Sequence, residues 1–251
     1  MSVVSGKQLH PVRTAVVWEV LTDALGRLAG ELDKQELEIV DVGGGTGGFA
    51  VPAAQLGHRV IVVDPSPDAL ATLARRASGA GVESRVRGLQ GDAAGLPELL
   101  GQESADAVLC HGVLEVVDDP EAAVAGVRAV LRPGGFASVL VGQRYAAVLS
   151  RALTGHISAA LEVLTSKEGH WAAGDPLPRR YDEASVGELL AGAGLQVQAV
   201  HGVRTFTELV PGTIADDPAA IEALYELEAA ASVDAALRSI AGQLHVLALP
   251  V

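Results

Sequence analysis

Glu38-Ile39-Val40-Asp41-Val42-Gly43-Gly44-Gly45-Thr46-Gly47-Gly48-Phe49 decides the fold of this chain. A short β-branched run carrying one acid gives way to a stretch in which five of seven residues are glycine. That pattern describes a buried strand breaking into a turn whose backbone passes close to a ligand. Gly43, Gly45 and Gly47 supply the positive φ values and missing Cβ atoms that such an approach needs. A helix is expected to open at Gly48 or Phe49, with its first N–H groups aimed back at the same ligand.

Outward from this turn the chain alternates. Before it, Val12, Val16, Val17, Val20, Leu21, Leu25 and Leu28 recur with a helical period, so residues 1–30 read as a leading helical segment. After it come a helix to Leu56, a second strand Arg59 to Val63 ending at Asp64-Pro65-Ser66, and a helix from Pro67 to about Ala80. A third strand, Arg85 to Gln90, closes on Gly91-Asp92, and a buried fourth strand runs from Ala105 to Cys110. Asp119-Pro120-Glu121 starts a helix that runs to Leu131, and Arg132-Pro133-Gly134-Gly135 turns it into a fifth strand, Phe136 to Val141. Strands separated by helices of this length make a parallel sheet covered on both faces.

Residues 142–180 break the alternation with a helical patch, Ala146 to Leu164, and a Gly/Pro-rich stretch; they read as a lid-like insertion after strand five. A helix from Tyr181, a sixth strand (Leu195 to Val203), a helix from Ile221 to Ala231 and a last strand (Leu244 to Leu249) complete the chain. The expectation is one α/β domain over residues 1–251, a Rossmann-like, doubly wound, mostly parallel seven-stranded sheet.

Composition narrows the function. Eighteen basic residues against 31 acidic give a formal charge of −13, which disfavours a broad nucleic-acid surface because phosphate neutralisation needs clustered Lys and Arg. Cys110 is the sole cysteine, so an intrachain disulfide and a cysteine-based zinc site are excluded, and no metal is expected. Met1 to Arg13 lacks an apolar core of signal-peptide length, and no run of about 18 uncharged apolar residues exists to span a membrane. A soluble, cytoplasmic protein with no membrane partner is the expectation.

The glycine turn fits two nucleotides. Gly43-x-Gly45-x-x-Gly48 matches the dinucleotide fingerprint, and Asp41-x-Gly43-x-Gly45-x-Gly47 matches the loop that holds S-adenosylmethionine. Asp64, at the end of strand two, can accept hydrogen bonds from both hydroxyls of a ribose that the two ligands share. Three later features lean towards S-adenosylmethionine. Gly91-Asp92-Ala93 places a carboxylate and adjacent N–H groups where an adenine edge could be read. His111-Gly112-Val113-Leu114-Glu115 follows strand four, and Leu131-Arg132-Pro133-Gly134-Gly135 precedes strand five. A dehydrogenase would add a second domain, for which little chain remains.

On these motifs the chain resembles the class I S-adenosylmethionine-dependent methyltransferases over nearly its whole length. It is more closely similar to the enzymes that methylate the carboxyl group of 5-carboxymethoxyuridine at the wobble position of tRNA. The likeness rests on Arg13-x4-Trp18, Asp41-Val42-Gly43-Gly44-Gly45, Gly57-His58-x-Val60-Ile61 and His111-Gly112-Val113-Leu114-Glu115 with Asp119-Pro120. It continues into Gly202-Val203-Arg204-x-Phe206, Tyr225-Glu226-Leu227-Glu228 and His245-Val246. The resemblance implies that Arg13 binds the cofactor's carboxylate and that Gly43, Gly44 and Gly45 pass under its methionine portion. Asp64, with Pro65 beside it, would hold the ribose, Asp92 and Ala93 the adenine, and His111 would close the pocket.

One departure concerns the acceptor. The family's insertion is rich in lysine, whereas 167–180 here offers Lys167, Arg179 and Arg180 among Glu168 and Asp175. A small metabolite is therefore the alternative to tRNA, and a non-catalytic module binding S-adenosylmethionine or S-adenosylhomocysteine is a further one. Methyl transfer from a sulfonium is an in-line displacement in which proximity and orientation carry most of the effect. A carboxylate nucleophile needs no base. A phenol or amine would look to His111, Tyr145 or His156, and an anionic acceptor to Arg144, Arg179, Arg180 or Arg204.

Overall fold

The structure, a computed structural model, describes residues 5–171 and 174–251. Residues 1–4 of the expected leading segment and 172–173 of the expected insertion lie outside the described residues. The chain begins α1 (Ser5–Glu31), β1 (Glu38–Val42), α2 (Ala50–Gln55), β2 (Arg59–Asp64), α3 (Pro67–Gly79), β3 (Val86–Gln90), α4 (Leu96–Leu100) and β4 (Ala105–His111). It continues α5 (Pro120–Val130), β5 (Leu131–Gly142), α6 (Arg144–Leu153), α7 (Ile157–Thr165), α8 (Glu183–Gly192) and β6 (Leu195–Val203). A 3-10 turn (Gly212–Asp216), α9 (Pro218–Val233), α10 (Ala235–Arg238) and β7 (Gln243–Pro250) end it.

The strands form one seven-stranded, mostly parallel sheet in the order β3-β2-β1-β4-β5-β7-β6. Pairings β3–β2, β2–β1, β1–β4 and β4–β5 are parallel. A parallel strand is covered on both faces and so reads as a continuous apolar run. Ile39, Val40 and Val42 of β1 and Ala107, Val108 and Leu109 of β4 are accordingly buried. Three helices start where a polar cap and a proline coincide, α9 among them, with Asp217 accepting the Ala219 N–H ahead of Pro218. Ser66 accepts the Ala69 N–H and Asp119 the Ala122 N–H, each followed by proline at the first helical position.

The chain divides into two compact units. One comprises Thr22–Leu140, Gly187–Ala199 and Val246–Val251, and contains β1 to β4 with their crossover helices. The other comprises the residues up to Leu21, Val141–Val186 and Val200–His245. In the second unit Val12 and Leu224 are buried, with Phe206, Ile221 and Tyr225 packed against them.

Two expectations change in detail. The helical patch expected over 146–164 is two helices, because the chain turns at Thr154-Gly155, where Gly155 takes φ +79°. The Arg132–Gly135 turn is a bulge inside β5: Ala105 pairs with Leu131, yet Ala107 already pairs with Phe136. Gly135 is required there, since a Cβ would lie 2.4 Å from the Asp106 carbonyl oxygen. No described helix is long and apolar enough to cross a membrane.

Candidate functional site

Strand order reverses between β1 and β4, and in an open parallel sheet the crevice beyond the carboxyl ends of such a pair is where ligands bind. The loops leaving β1, β2, β3 and β4 carry the residues singled out from the sequence: Gly43 to Gly47, Asp64 with Pro65, Asp92 with Ala93, and His111. All belong to the same compact unit.

The glycine loop is held from within. Gly43 N–H donates to the Val63 carbonyl (2.8 Å) and Gly47 N–H to that of Gly44 (2.8 Å), while Arg76 grips the Thr46 carbonyl at 2.9 Å. Its glycines are not equivalent. A Cβ on Gly47 would strike Leu73 at 2.4 Å, so that position serves packing. A Cβ on Gly45, where φ is +55°, would meet nothing nearer than an Asp64 carboxylate oxygen at 3.8 Å. Gly45 therefore faces open space, as the point of closest approach to a ligand should.

Asp64 ties this loop to β2. Its two carboxylate oxygens accept the N–H groups of Gly45 (2.9 Å) and Ser66 (2.8 Å), and it is only 8% exposed. Each oxygen keeps a further lone pair, which is the acceptor set a vicinal diol requires. Pro65, exposed beside it, accepts a hydrogen bond from Gln90 at 3.2 Å. Asp92 is exposed and accepts the Gly95 N–H at 2.9 Å, which fixes the turn after β3. Ala93 is buried, and its carbonyl lies so close to α5 that a Cβ on Gly126 would come within 2.1 Å.

Asp41 sits beneath the loop at 2% exposure, its carboxylate filling the space a Gly44 side chain would need. Burial, aided by the neighbouring Asp64 charge and opposed by the Ala50 N–H, pushes its pKa up to about 7. His111 packs edge-on against Phe49 (4.7 Å between ring centroids), and its Nε2 lies 2.8 Å from the Ser138 hydroxyl. Burial pushes its pKa down to about 3, so the imidazole is neutral at any physiological pH.

Arg13, Tyr145 and Arg204 lie in the other unit. Arg13 and Arg204 share one partner: Glu208 is 3.3 Å from Arg13 Nη2 and 3.9 Å from Arg204 Nη1. Tyr145 is exposed at the start of α6, where its N–H donates to the Gln143 side chain. Sequence reasoning missed Glu208 and gave no role to Glu228, a carboxylate buried to 2% exposure that organises the loop after β6. The only local signal for Glu228 was an acid inside an apolar helical stripe.

The β-strand ends thus offer glycine backbone, a carboxylate pair-acceptor and a neutral imidazole. That set suits the binding and orienting of a nucleoside better than the shuttling of protons.

Comparison with known proteins agrees. Residues 40–139 match the family described as methyltransferase domain. The chain is 30% identical over 195 residues to the tRNA 5-carboxymethoxyuridine methyltransferase of Escherichia coli (strain K12), covering 78% of this chain and 72% of that one. It is also 30% identical over 197 residues to the ubiquinone biosynthesis O-methyltransferase of Xanthomonas axonopodis pv. citri (strain 306), covering 78% and 73%. Among solved structures, an S-adenosylmethionine-dependent methyltransferase from Methanosarcina mazei superposes with a TM-score of 0.61 at 16% identity, over 87% of this chain and 94% of that one.

Proposed function

This chain belongs to the class I S-adenosylmethionine-dependent methyltransferases, and on that premise we propose that its acceptor is a carboxylate, that of a modified wobble uridine in tRNA. The enzyme class and the cofactor, S-adenosylmethionine with S-adenosylhomocysteine as product, follow from the family. The cradle fits that cofactor on its own terms, since Gly45 faces open space and Asp64 keeps free lone pairs beside it. Bound there, the cofactor supplies a sulfonium methyl group as the electrophile.

We assign Gly43, Gly44 and Gly45 to backbone contact with the methionine and ribose portions, with Gly47 packing the loop against Leu73, Asp64 with Pro65 to the ribose, and Asp92 with Ala93 to the adenine. Asp41 supports the loop from below. Arg13 is assigned to the cofactor's carboxylate. His111, held by Phe49 and Ser138, forms a wall of the pocket and keeps water out.

The acceptor assignment is supported by the likeness to the Escherichia coli tRNA enzyme, together with the packing of His111 against Phe49 and Ser138. A catechol or phenol hydroxyl must lose a proton to attack, and an imidazole with a pKa near 3 is a poor base for it. A carboxylate is already ionised and needs only to be aligned. A tRNA acceptor also implies a cytoplasmic site of action. The helices Arg144–Leu153 and Ile157–Thr165, which leave Leu153, Ile157 and Leu161 exposed, are our choice for the element that covers the acceptor.

Incubation with methyl-labelled cofactor and bulk tRNA tests this. The expected product is label in RNA that mild alkali releases, because a methyl ester hydrolyses where a methyl ether does not. Absence of label in the RNA, or alkali-stable label, would overturn the assignment. The formal charge of −13 and the Xanthomonas relative favour a small-molecule acceptor as the second reading.

A further inference from the structure

Directly after β6, Arg204 takes φ +60°, a left-handed conformation that arginine rarely adopts and that persists only when its surroundings impose it. A buried carboxylate does the imposing. Glu228 of α9 accepts the N–H groups of Thr205, Phe206 and Thr207 at 2.9, 3.0 and 2.7 Å, together with the Thr207 hydroxyl at 2.5 Å. Gly242 N–H donates to the Arg204 carbonyl at 3.3 Å. The loop is thus wound about one anion and the guanidinium is aimed by its own backbone.

That guanidinium stands beside a second one. Arg204 Nε reaches the Arg13 carbonyl at 3.5 Å, and the proximity of Arg13 is among the causes, after burial, that lower the Arg204 pKa. The carboxylate shared between them is Glu208, one oxygen towards each arginine, at 3.3 and 3.9 Å, while the buried Glu228 also acts on Arg204. A well-seated arginine–carboxylate pair is bidentate and closes to about 2.7–2.9 Å. Glu208 instead makes long single contacts with its side chain 46% exposed, and Arg13 Nε finds no acceptor among the described residues. One arginine on a buttressed loop and a second beside it therefore share one loosely placed anion.

We propose that Arg204 is the residue that recognises the acceptor's carboxylate, and that Glu208 is a stand-in carboxylate which occupies the arginine pair until the acceptor displaces it. The inference rests on the carboxylate-acceptor reading above. Each of the two substrates in that reading brings a carboxylate, and Arg13 and Arg204 are two neighbouring arginines within one unit. Glu208 also discriminates: an acceptor without negative charge gains nothing that offsets its displacement, so an unmodified uridine is rejected.

The test uses the full chain saturated with S-adenosylhomocysteine and two anticodon stem-loop RNAs, one with 5-carboxymethoxyuridine at the wobble position and one with uridine. The variants are Arg204→Asn, since asparagine tolerates a left-handed backbone, and Glu208→Gln. Arg204→Asn should weaken binding of the acid RNA at least tenfold while leaving the uridine RNA and S-adenosylhomocysteine within about twofold. Glu208→Gln should tighten the acid RNA by about threefold and leave the uridine RNA unchanged. If Arg204→Asn preserves the preference for the acid RNA, or Glu208→Gln weakens it, the inference fails while the acceptor reading stands. If the wild-type protein binds S-adenosylhomocysteine but neither prefers nor methylates the acid RNA, the acceptor reading fails and takes the inference with it.

Discussion

Replacing Gly45 and Gly47 separately by alanine distinguishes a glycine kept for a ligand from a glycine kept for packing. At Gly45 the backbone φ of +55° costs alanine about 1–2 kcal/mol, and the new methyl meets nothing closer than 3.8 Å. In a chain of this size each kcal/mol moves Tm by about 2–4 °C, so a fall of roughly 2–8 °C is expected. At Gly47 the same backbone cost applies at φ +81°, and the methyl also lies 2.4 Å from Leu73 and 3.2 Å from Val51. Overpacking adds about 1–3 kcal/mol, so Gly47→Ala should be the less stable of the two. Binding should rank the opposite way. If the cofactor lies against Gly45, the methyl occupies its volume, and a comparable 1–3 kcal/mol becomes about a 5- to 150-fold loss of affinity. Thermal melts with calorimetric titration of S-adenosylhomocysteine give both quantities. Gly45→Ala binding within twofold of wild type, with its expected small loss of Tm, would refute the placement of the ligand.

Three further outcomes follow from the same geometry. Asp64→Ala would remove the two hydrogen bonds proposed to the ribose, each charge-assisted and contributing about 1.5–3 kcal/mol, along with those from Gly45 and Ser66, so calorimetry should show affinity down at least a hundredfold; near-normal affinity would rule out the ribose role. Asp41 has a folded pKa raised from 3.8 to about 7, so the folded state retains a proton that the unfolded chain has lost between those values. Its contribution is complete below about pH 4 and is lost as pH rises to 7, by about 1.4 kcal/mol per unit at most. Asp41→Asn should therefore gain in Tm over wild type between pH 5 and pH 8, and a pH-independent difference would contradict the burial argument. Asp106 accepts Lys34 (2.6 Å), Arg132 (2.9 Å) and the Glu38 N–H (2.9 Å) at the amino ends of the strands. Burial alone would raise its pKa, but these donors outweigh it and hold the carboxyl low. Asp106→Ala should cost about 3 kcal/mol, the low end for a broken buried pair because Lys34 and Arg132 are a third exposed, while folded protein still binds cofactor.

What the sequence made legible is local. The apolar run of β1, the glycines after it, the acid ending β2 and the prolines that open α3 and α5 each announce themselves within a few residues, and the structure places them as expected. β6 keeps its expected bounds, Leu195–Val203, for the same reason. The bulge in β5 was hidden because Pro133-Gly134-Gly135 looks like a turn unless one knows that Asp106 lies opposite. The contact between Arg13 and Glu208 joins residues 195 positions apart, and no periodicity reports it. Glu228 reads as one more acid in α9 until the loop that wraps it is seen. His111 was visible as a residue, but its neutrality comes from burial against Phe49 and Ser138, which the motif alone does not encode.

The central claim is that the strand ends of β1, β2 and β4 hold an adenosyl amino acid rather than a nicotinamide dinucleotide. Calorimetric titration of the intact protein with S-adenosylhomocysteine and, separately, with NAD addresses it directly. The account predicts a one-to-one complex with S-adenosylhomocysteine in the micromolar range and no heat from NAD. Saturable NAD binding with S-adenosylhomocysteine inert would contradict it.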